Sequence, residues 1–111
     1  MDENVFEVHS PLGHTVICSC MTWNNHILMG HPNMRGREEE VKNAIEMPDS
    51  IFASEERPAD RDVYFKGTLQ NNMYTKVVTQ KRGIVHYVVS AWRQKEVKGN
   101  IGVMKYVKPK L

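Results

Sequence analysis

The sequence predicts an α+β domain in which an N-terminal strand and helices pack on a four-stranded antiparallel sheet. Helical patterns occupy the first half of the chain, whereas extended segments rich in β-branched and aromatic residues, separated by turns, fill the second half. The four predicted strands of this sheet are residues 62–67, 73–80, 84–93 and 101–107. A chain of 111 residues is expected to form one domain with a single modest core. Residues 1–14 are predicted to be an N-terminal extension, and residues 95–111 a basic C-terminal tail.

Short extended segments are also predicted in the first half of the chain. Residues 4–8 alternate weakly, as an edge strand does, and residues 15–20 are apolar and β-branched. A turn containing proline and glycine separates them, and we interpret its flanking residues His9 and His14 as polar loop residues. Residues 51–53 are predicted to be a further short strand.

Two helices are predicted between these strands. Residues 22–30 form the first, with Thr22 as its cap, and residues 34–47 form the second, with Asn33 as its cap. Three acidic residues in the first part of the second helix suit the helix dipole. Its apolar stripe has three-to-four spacing and comprises Val41, Ala44 and Ile45.

The composition is that of a globular protein, with 41 % apolar and 25 % charged residues. No apolar run approaches the roughly 18 residues that a membrane helix requires, so no membrane partner is expected. Cys18 and Cys20 lie two residues apart, a spacing that does not favour a mutual disulfide on a strand. We interpret both as reduced thiols, which predicts a cytoplasmic location.

Charge is distributed unevenly along the chain. Residues 1–60 hold four basic and eleven acidic side chains, whereas residues 61–111 hold eleven basic and two acidic ones. A basic second half is what a polyanion-binding surface needs. The alternative is that the two halves neutralise each other across the fold.

The stretch HILMGHPNM, from His26, contains two of the five histidines. On a continuous helix, side chains five residues apart would diverge by roughly 140°. A break at Gly30, followed by Pro32, allows His31 to turn back towards the cleft that His26 faces. The alternative is that His26 is a partly buried polar residue and His31 a surface loop residue.

Alternation predicts which strand side chains share a face. Tyr64 and Lys66 share one face of their strand, and the longest strand presents on one face His86, Val88, Ser90 and Trp92. Lys66 stands at a strand end, where a lysine is usually a snorkelling surface residue. Ser90 lies late in an otherwise hydrophobic strand, where a serine is usually only hydrogen-bonded.

In combination, these motifs resemble the phage-associated nucleases of the Barnase–EndoU–colicin–RelE superfamily. The matching stretches, in chain order, are HILMGHPNM from His26, MPDSIFAS from Met47, VYFK from Val63, KVV from Lys76 and VSAW from Val89. The resemblance covers roughly residues 15–100. The chain departs from the family pattern at Gly30 in place of a basic residue, Ser90 in place of threonine and Trp92 in place of tyrosine.

The resemblance implies a toxin-like endoribonuclease that uses no metal or cofactor and leaves a 2′,3′-cyclic phosphate after attack by the 2′-OH. His26 and His31 would be the base and the acid. Lys66 would stabilise charge on the phosphate oxygens, and Ser90 would donate a hydrogen bond there. The implied partners are RNA, tRNA included, and an inhibitor or antitoxin protein.

Further residues are expected to hold the RNA. Tyr64 and Trp92, with Tyr87 as a third aromatic, are expected to stack an unpaired base. Binding of the phosphate backbone is expected from three residues at and after the end of the strand that carries Ser90, namely Arg93, Lys95 and Lys98.

Two other classes of function stay open at this point. The first is an RNA- or protein-binding module that has kept the fold and lost the activity. The second is a zinc site, whose four candidate ligands are Cys18, Cys20, His26 and His31. Its Cys-x-Cys spacing is tighter than the usual Cys-x2-Cys, and there is no second cysteine pair.

Overall fold

The structure is a computed structural model that describes residues 3–68 and 72–110. Within them, strands and short helical segments follow one another in the order β1 (Asn4–His9), β2 (Thr15–Ser19), α1 (Cys20–Thr22), a π-helical turn (Trp23–Ile27), α2 (Leu28–Gly30), a 3-10 turn (Pro32–Met34), α3 (Glu38–Glu46), β3 (Ser50–Ser54), β4 (Arg61–Gly67), β5 (Tyr74–Arg82), β6 (Val85–Gln94) and β7 (Ile101–Val107).

The strands form one seven-stranded mixed sheet in the order β1-β2-β6-β5-β4-β3-β7. Neighbouring strands are antiparallel, except that β2 and β6 run parallel. The class is α+β, but the predicted four-stranded antiparallel sheet is wrong. Local alternation identifies a strand without identifying its partner, and two of the pairings, β2 with β6 and β3 with β7, join segments that are distant in the chain.

The region between β2 and β3 contains several short helical segments instead of the two predicted helices. Ser19 caps α1, because its Oγ accepts a hydrogen bond from the Thr22 amide at 3.1 Å. The predicted helix over residues 34–47 is reduced to the nine residues of α3, since the chain first makes the 3-10 turn and then passes through Gly36 at φ +79°. The predicted stripe of α3 is confirmed as buried and comprises Val41, Ala44 and Ile45.

The core lies between the helical segments and one face of the sheet, which we call the helix face. The strands contribute to this core Phe6, Val8, Val16, Cys18, Ile51, Tyr64, Val77, Val88 and Ala91. The helical segments contribute Trp23, Ile27, Met34, Val41, Ala44 and Ile45. The opposite face, which we call the distal face, carries Val63, Phe65, Lys76, Val78, Tyr87, Ser90 and Trp92. The sheet separates the side chains of the two faces where its strands are paired. Because β2 pairs with β6 only as far as Tyr87, the sheet does not separate the two faces on that side of the later part of β6.

A β-bulge in β6 decides which of its side chains reach each face. Val88 and Ser90 pair with consecutive residues of β5, so Val89 between them has no partner in that ladder. The extra residue reverses the alternation along the strand. His86 and Val88 therefore lie on the helix face, whereas Ser90 and Trp92 lie on the distal face. The predicted common face for these four side chains is wrong.

The connection from β6 to β7 crosses the distal face and is anchored there by Lys76. Its Nζ donates to the carbonyl oxygens of Lys98 at 3.0 Å and Gly99 at 2.8 Å. A Cβ at Gly99, where φ is +96°, would lie 2.8 Å from this ammonium, so glycine is needed at the crossing. The Ser54 hydroxyl donates to the Asn100 side chain at 3.2 Å, which fixes the end of the connection.

Both ends of the described chain belong to the sheet. The predicted extension, residues 1–14, contains β1, which lies at one edge as expected. The predicted tail, residues 95–111, contains β7 at the other edge, with the predicted bounds. Across residues 3–68 and 72–110, no helix has the length and apolar character needed to cross a membrane.

Candidate functional site

The two histidines of the HILMGHPNM stretch have different surroundings. His26 is exposed on the π-helical turn. His31, just after α2, is half-buried and stacks on the indole of Trp92, with ring centroids 5.4 Å and planes 21° apart. The structure therefore brings His31 to Trp92, two of the residues predicted for the site.

The other predicted catalytic residues are divided between the faces of the sheet. Lys66 lies on the helix face, where its Nζ donates to the Met47 carbonyl at 2.8 Å, just beyond α3. A cation suits this end of a helix. Ser90 lies on the distal face and cannot reach a phosphate held by Lys66. Tyr64 is fully buried in the core, and burial raises its pKa to about 12, so its ring is not available to an unpaired base.

Of the three residues predicted to bind the RNA backbone, two are available to solvent. The Arg93 side chain is 8 % exposed and its Nε lies 3.8 Å from the Glu40 carboxylate, so it is a contact between α3 and the sheet. Lys95 is exposed. Lys98 is exposed as well, with its ammonium 3.5 Å from Glu96.

A polar cleft of about 390 Å³ lies at the opposite end of the strands, beside the hairpin that joins β5 to β6. Its titratable side chains come from four strands and two turns, and are those of His14, Asp60, Asp62, Lys81, His86 and Lys105. The parallel pairing of Val16 with His86 places the start of β2, and with it His14, beside the start of β6. The turn is shaped by Gly13 at φ +82° and closed by a hydrogen bond from the Ser10 amide to the His14 carbonyl at 2.9 Å.

The two histidines of this cleft form a stacked pair. The ring centroids of His14 and His86 are 3.9 Å apart, and the planes differ by 9°. His14 Nδ1 lies 3.7 Å from Asp62 Oδ2, beyond hydrogen-bonding distance, while Asp62 Oδ1 accepts a hydrogen bond from Lys105 Nζ at 2.7 Å. Both Nδ1 atoms are buried without a hydrogen-bond partner in the described structure. Nε2 is therefore the ring nitrogen that each histidine can offer to a ligand in the cleft.

Burial lowers the pKa of both histidines. For His14, the Asp62 carboxylate opposes this effect, while the ammonium groups of Lys105 and Lys81 reinforce it. For His86, the pKa is lowered first by burial and then by the neighbouring His14. Two rings this close repel each other strongly when both are protonated, so they titrate as a coupled pair. Between its two titrations, the pair holds one proton.

Three of these side chains also have the donor types of a metal site. One ligand atom from each of His14, Asp62 and His86 lies within 4.8 Å of the others. Two features favour proton chemistry instead. The lone pair of an imidazole lies in its ring plane, so stacked parallel rings cannot direct theirs at one ion. In addition, the Lys105 ammonium already binds Asp62 and would repel a second cation.

The zinc site considered from sequence is not assembled. Among residues 3–68 and 72–110, Cys18, Cys20, His26 and His31 do not appear as a converging donor group. Burial raises the pKa of the Cys18 thiol to about 12, which disfavours the thiolate that zinc requires.

Sequence reasoning did not identify the cleft. It interpreted His14 as a polar loop residue and placed His86 on a face with Ser90 and Trp92. Asp62 immediately precedes the VYFK stretch without being part of it, and Lys105 lies in none of the stretches that carry the resemblance. One signal was present, because His14 immediately precedes a strand, and strand ends are where sites are commonly built.

No protein-family model, curated protein or solved structure matches the chain. Its function must therefore be inferred from the geometry and charge of the cleft.

Proposed function

We propose that the protein is a metal-independent endoribonuclease whose acid–base pair is His14 and His86. The observation that carries the proposal is the stacked imidazole pair, with 3.9 Å between ring centroids, in the wall of a cleft that also contains two lysines. RNA supplies its own nucleophile, the 2′-OH. Cleavage then requires a base for the hydroxyl proton, an acid for the leaving 5′-oxygen, and positive charge near the phosphate.

A histidine pair that holds one proton contains both the base and the acid. The neutral ring removes the 2′-OH proton as the bond from the 2′-oxygen to phosphorus forms. The protonated ring gives its proton to the 5′-oxygen as the bond from that oxygen to phosphorus breaks. The products are a 2′,3′-cyclic phosphate and a free 5′-OH, and the pair again holds one proton.

The charged neighbours have separate roles in this proposal. Asp62 orients His14, through a contact of 3.7 Å that is expected to shorten when substrate is bound. Lys105 neutralises Asp62, so the carboxylate does not repel the phosphate. Lys81 is exposed at the rim of the cleft and would stabilise negative charge on the phosphate oxygens.

Cleavage is expected to survive chelation and to depend on the 2′-OH. A random-sequence pool of single-stranded RNA incubated with excess EDTA should yield 2′,3′-cyclic phosphate ends, measured by mass spectrometry of the products. A 2′-deoxy substitution at a cleaved nucleotide should abolish cleavage there, because it removes the nucleophile. Activity that is lost in EDTA and restored by a divalent ion would contradict the proposal, as would comparable cleavage of single-stranded DNA. Binding without cleavage would indicate the inactive RNA-binding module.

The pH dependence of kcat/KM is expected to be bell-shaped, with its maximum below pH 6.5, because both histidine pKa values are lowered from 6.5. As the pH falls below the maximum, the second ring is protonated and the base is lost. As it rises above the maximum, the last proton leaves and the acid is lost. Lys105→Met removes a charge that lowers both pKa values, so it should move the bell to higher pH. A wild-type maximum above pH 6.5, or an unmoved bell in Lys105→Met, would contradict this assignment.

A further inference from the structure

The distal face contains a half-exposed surface close to the cleft. The β6–β7 connection lies over its far part, at Lys76, whereas four side chains nearer the β5–β6 hairpin remain half-exposed, namely Ile17, Val78, Tyr87 and Ser90. The pairing registers place Tyr87 between Ile17 of β2 and Gln80 of β5. Tyr87 is therefore the aromatic side chain at the centre of this surface, which we call the Tyr87 surface.

Tyr87 is better placed for a nucleobase than the other aromatic residues considered from the sequence. Tyr64 is fully buried in the core. The Trp92 ring already contacts His31, and the buried Lys76 ammonium lies 4.8 Å from its centroid. The Tyr87 ring is half-exposed, and the exposed Arg82 guanidinium lies 5.5 Å from its centroid. A tyrosine ring beside an arginine is a common platform for unpaired bases in RNA-binding proteins.

Charged side chains are distributed unevenly across the Tyr87 surface. One row of paired residues crosses the sheet from Glu7 of β1 through Ile17 and Tyr87 to Gln80 and Arg61 of β4. At one end of this row, the Glu7 carboxylate repels phosphate. At the other end, Arg61 donates to Gln80 at 2.7 Å, Arg82 lies over the Tyr87 ring, and the Asp60 carboxylate accepts from Gln80 at 2.8 Å. Two guanidinium groups against one carboxylate favour a polyanion on the β4–β5 side.

The Tyr87 surface and the cleft share one narrow hairpin. His86 and Tyr87 are consecutive in β6 and point to opposite faces. Gly83 and Ile84 form the two-residue turn at the hairpin tip, with Gly83 at φ +67°. A single strand of RNA that bends around this tip can place a phosphate beside His86 on one face and a base several nucleotides away on Tyr87 on the other face. A duplex cannot do so without unpairing.

We propose that Tyr87 and Arg82 form a binding subsite for one unpaired nucleobase of a single-stranded RNA, several nucleotides from the phosphate in the cleft. The connection to that phosphate rests on the proposed ribonuclease function, whereas the binding of an unpaired base can be measured without cleavage. The subsite accepts any base, because stacking uses the π-face that all bases share. It makes single-stranded RNA the preferred substrate.

The test uses the full chain and 2′-O-methyl RNA, which has no free 2′-OH and cannot be cleaved by the proposed reaction. Tyr87→Ala is expected to weaken binding of a fluorescently labelled single strand about tenfold, measured by anisotropy. Tyr87→Phe should bind as the wild type does, because the ring is retained. Tyr74→Ala is the matched control, since Tyr74 is also half-exposed on the distal face but lies at the far end of β5. Binding of duplex RNA should be equal in all four proteins.

A series of single strands with one abasic nucleotide locates the contact. In the wild type, an abasic nucleotide at one position should weaken binding by about the same factor as Tyr87→Ala does. In the Tyr87→Ala variant, an abasic nucleotide at that position should weaken binding no further. The subsite is overturned if Tyr87→Ala binds single strands as tightly as the wild type, or if single strands and duplexes are weakened alike. A wild type that binds through Tyr87 but does not cleave RNA retains the subsite and loses the proposed function. If the wild type cleaves RNA but Tyr87→Ala does not change its binding, the proposed function stands and the subsite is overturned.

Discussion

Replacement of His14 by glutamine is expected to slow the cleavage of single-stranded RNA by about 10²- to 10⁴-fold, the usual effect of removing a general acid or base. The measurement is a single-turnover rate at saturating RNA, which separates chemistry from binding. The His14 side chain is 29 % exposed on a turn, so the free energy of unfolding should hardly change. His86→Gln should slow cleavage by a similar factor, and the double variant should be little slower than either single one, because the rings act as a pair.

His9→Gln is the matched control for this prediction. His9 is exposed on β1, with its Nδ1 3.3 Å from the Thr15 hydroxyl, and it does not line the cleft. His26→Gln and His31→Gln test the pair that the family resemblance implies. If these two variants lose cleavage while His14→Gln retains it, the cleft is not the catalytic site and the HILMGHPNM stretch is.

Truncation of Ile45 to alanine is expected to lower the free energy of unfolding by about 2–5 kcal/mol. Ile45 is fully buried where α3 packs on the sheet, so its loss leaves a cavity that the surrounding side chains fill only in part. Because small domains are stable by only about 5–15 kcal/mol, the change should be visible in a urea titration monitored by circular dichroism.

The same substitution at Ile84 provides the control. Ile84 is 93 % exposed at the hairpin tip, so Ile84→Ala removes the same atoms without opening a cavity. Its effect should be under about 0.5 kcal/mol. Equal destabilisation by the two variants would mean that α3 does not pack on the sheet as described.

The position of most strands could be predicted from the sequence, but their arrangement could not. Period-two alternation is a property of neighbouring residues, so it predicts β1 as an edge strand and β7 with the bounds that the structure shows. Pairing depends on contacts between distant segments, which alternation does not record. The unpaired Val89 is one extra residue with no special chemistry, yet it moves Ser90 and Trp92 to the face opposite His86.

The candidate site could not be predicted from the sequence for the same reason. Each of its side chains has an ordinary explanation in its own segment, as a turn histidine, a strand aspartate or a tail lysine. Only the parallel pairing of β2 with β6 brings His14 to His86, and only the return of β7 to β3 brings Lys105 to Asp62. His26 and His31, in contrast, lie close together in one stretch, so their proximity is visible in the sequence itself.

The parallel pairing of β2 with β6 also determines when the molecule can finish folding. Thr15 pairs with Val85, so most of the chain must be synthesised before β2 finds this neighbour, and closing so large a loop is slow. Lys105 emerges later still, close to the C-terminal end. The cleft that contains His14, His86 and Lys105 is therefore complete only after β6 and β7 have both joined the sheet, which makes it a late product of folding.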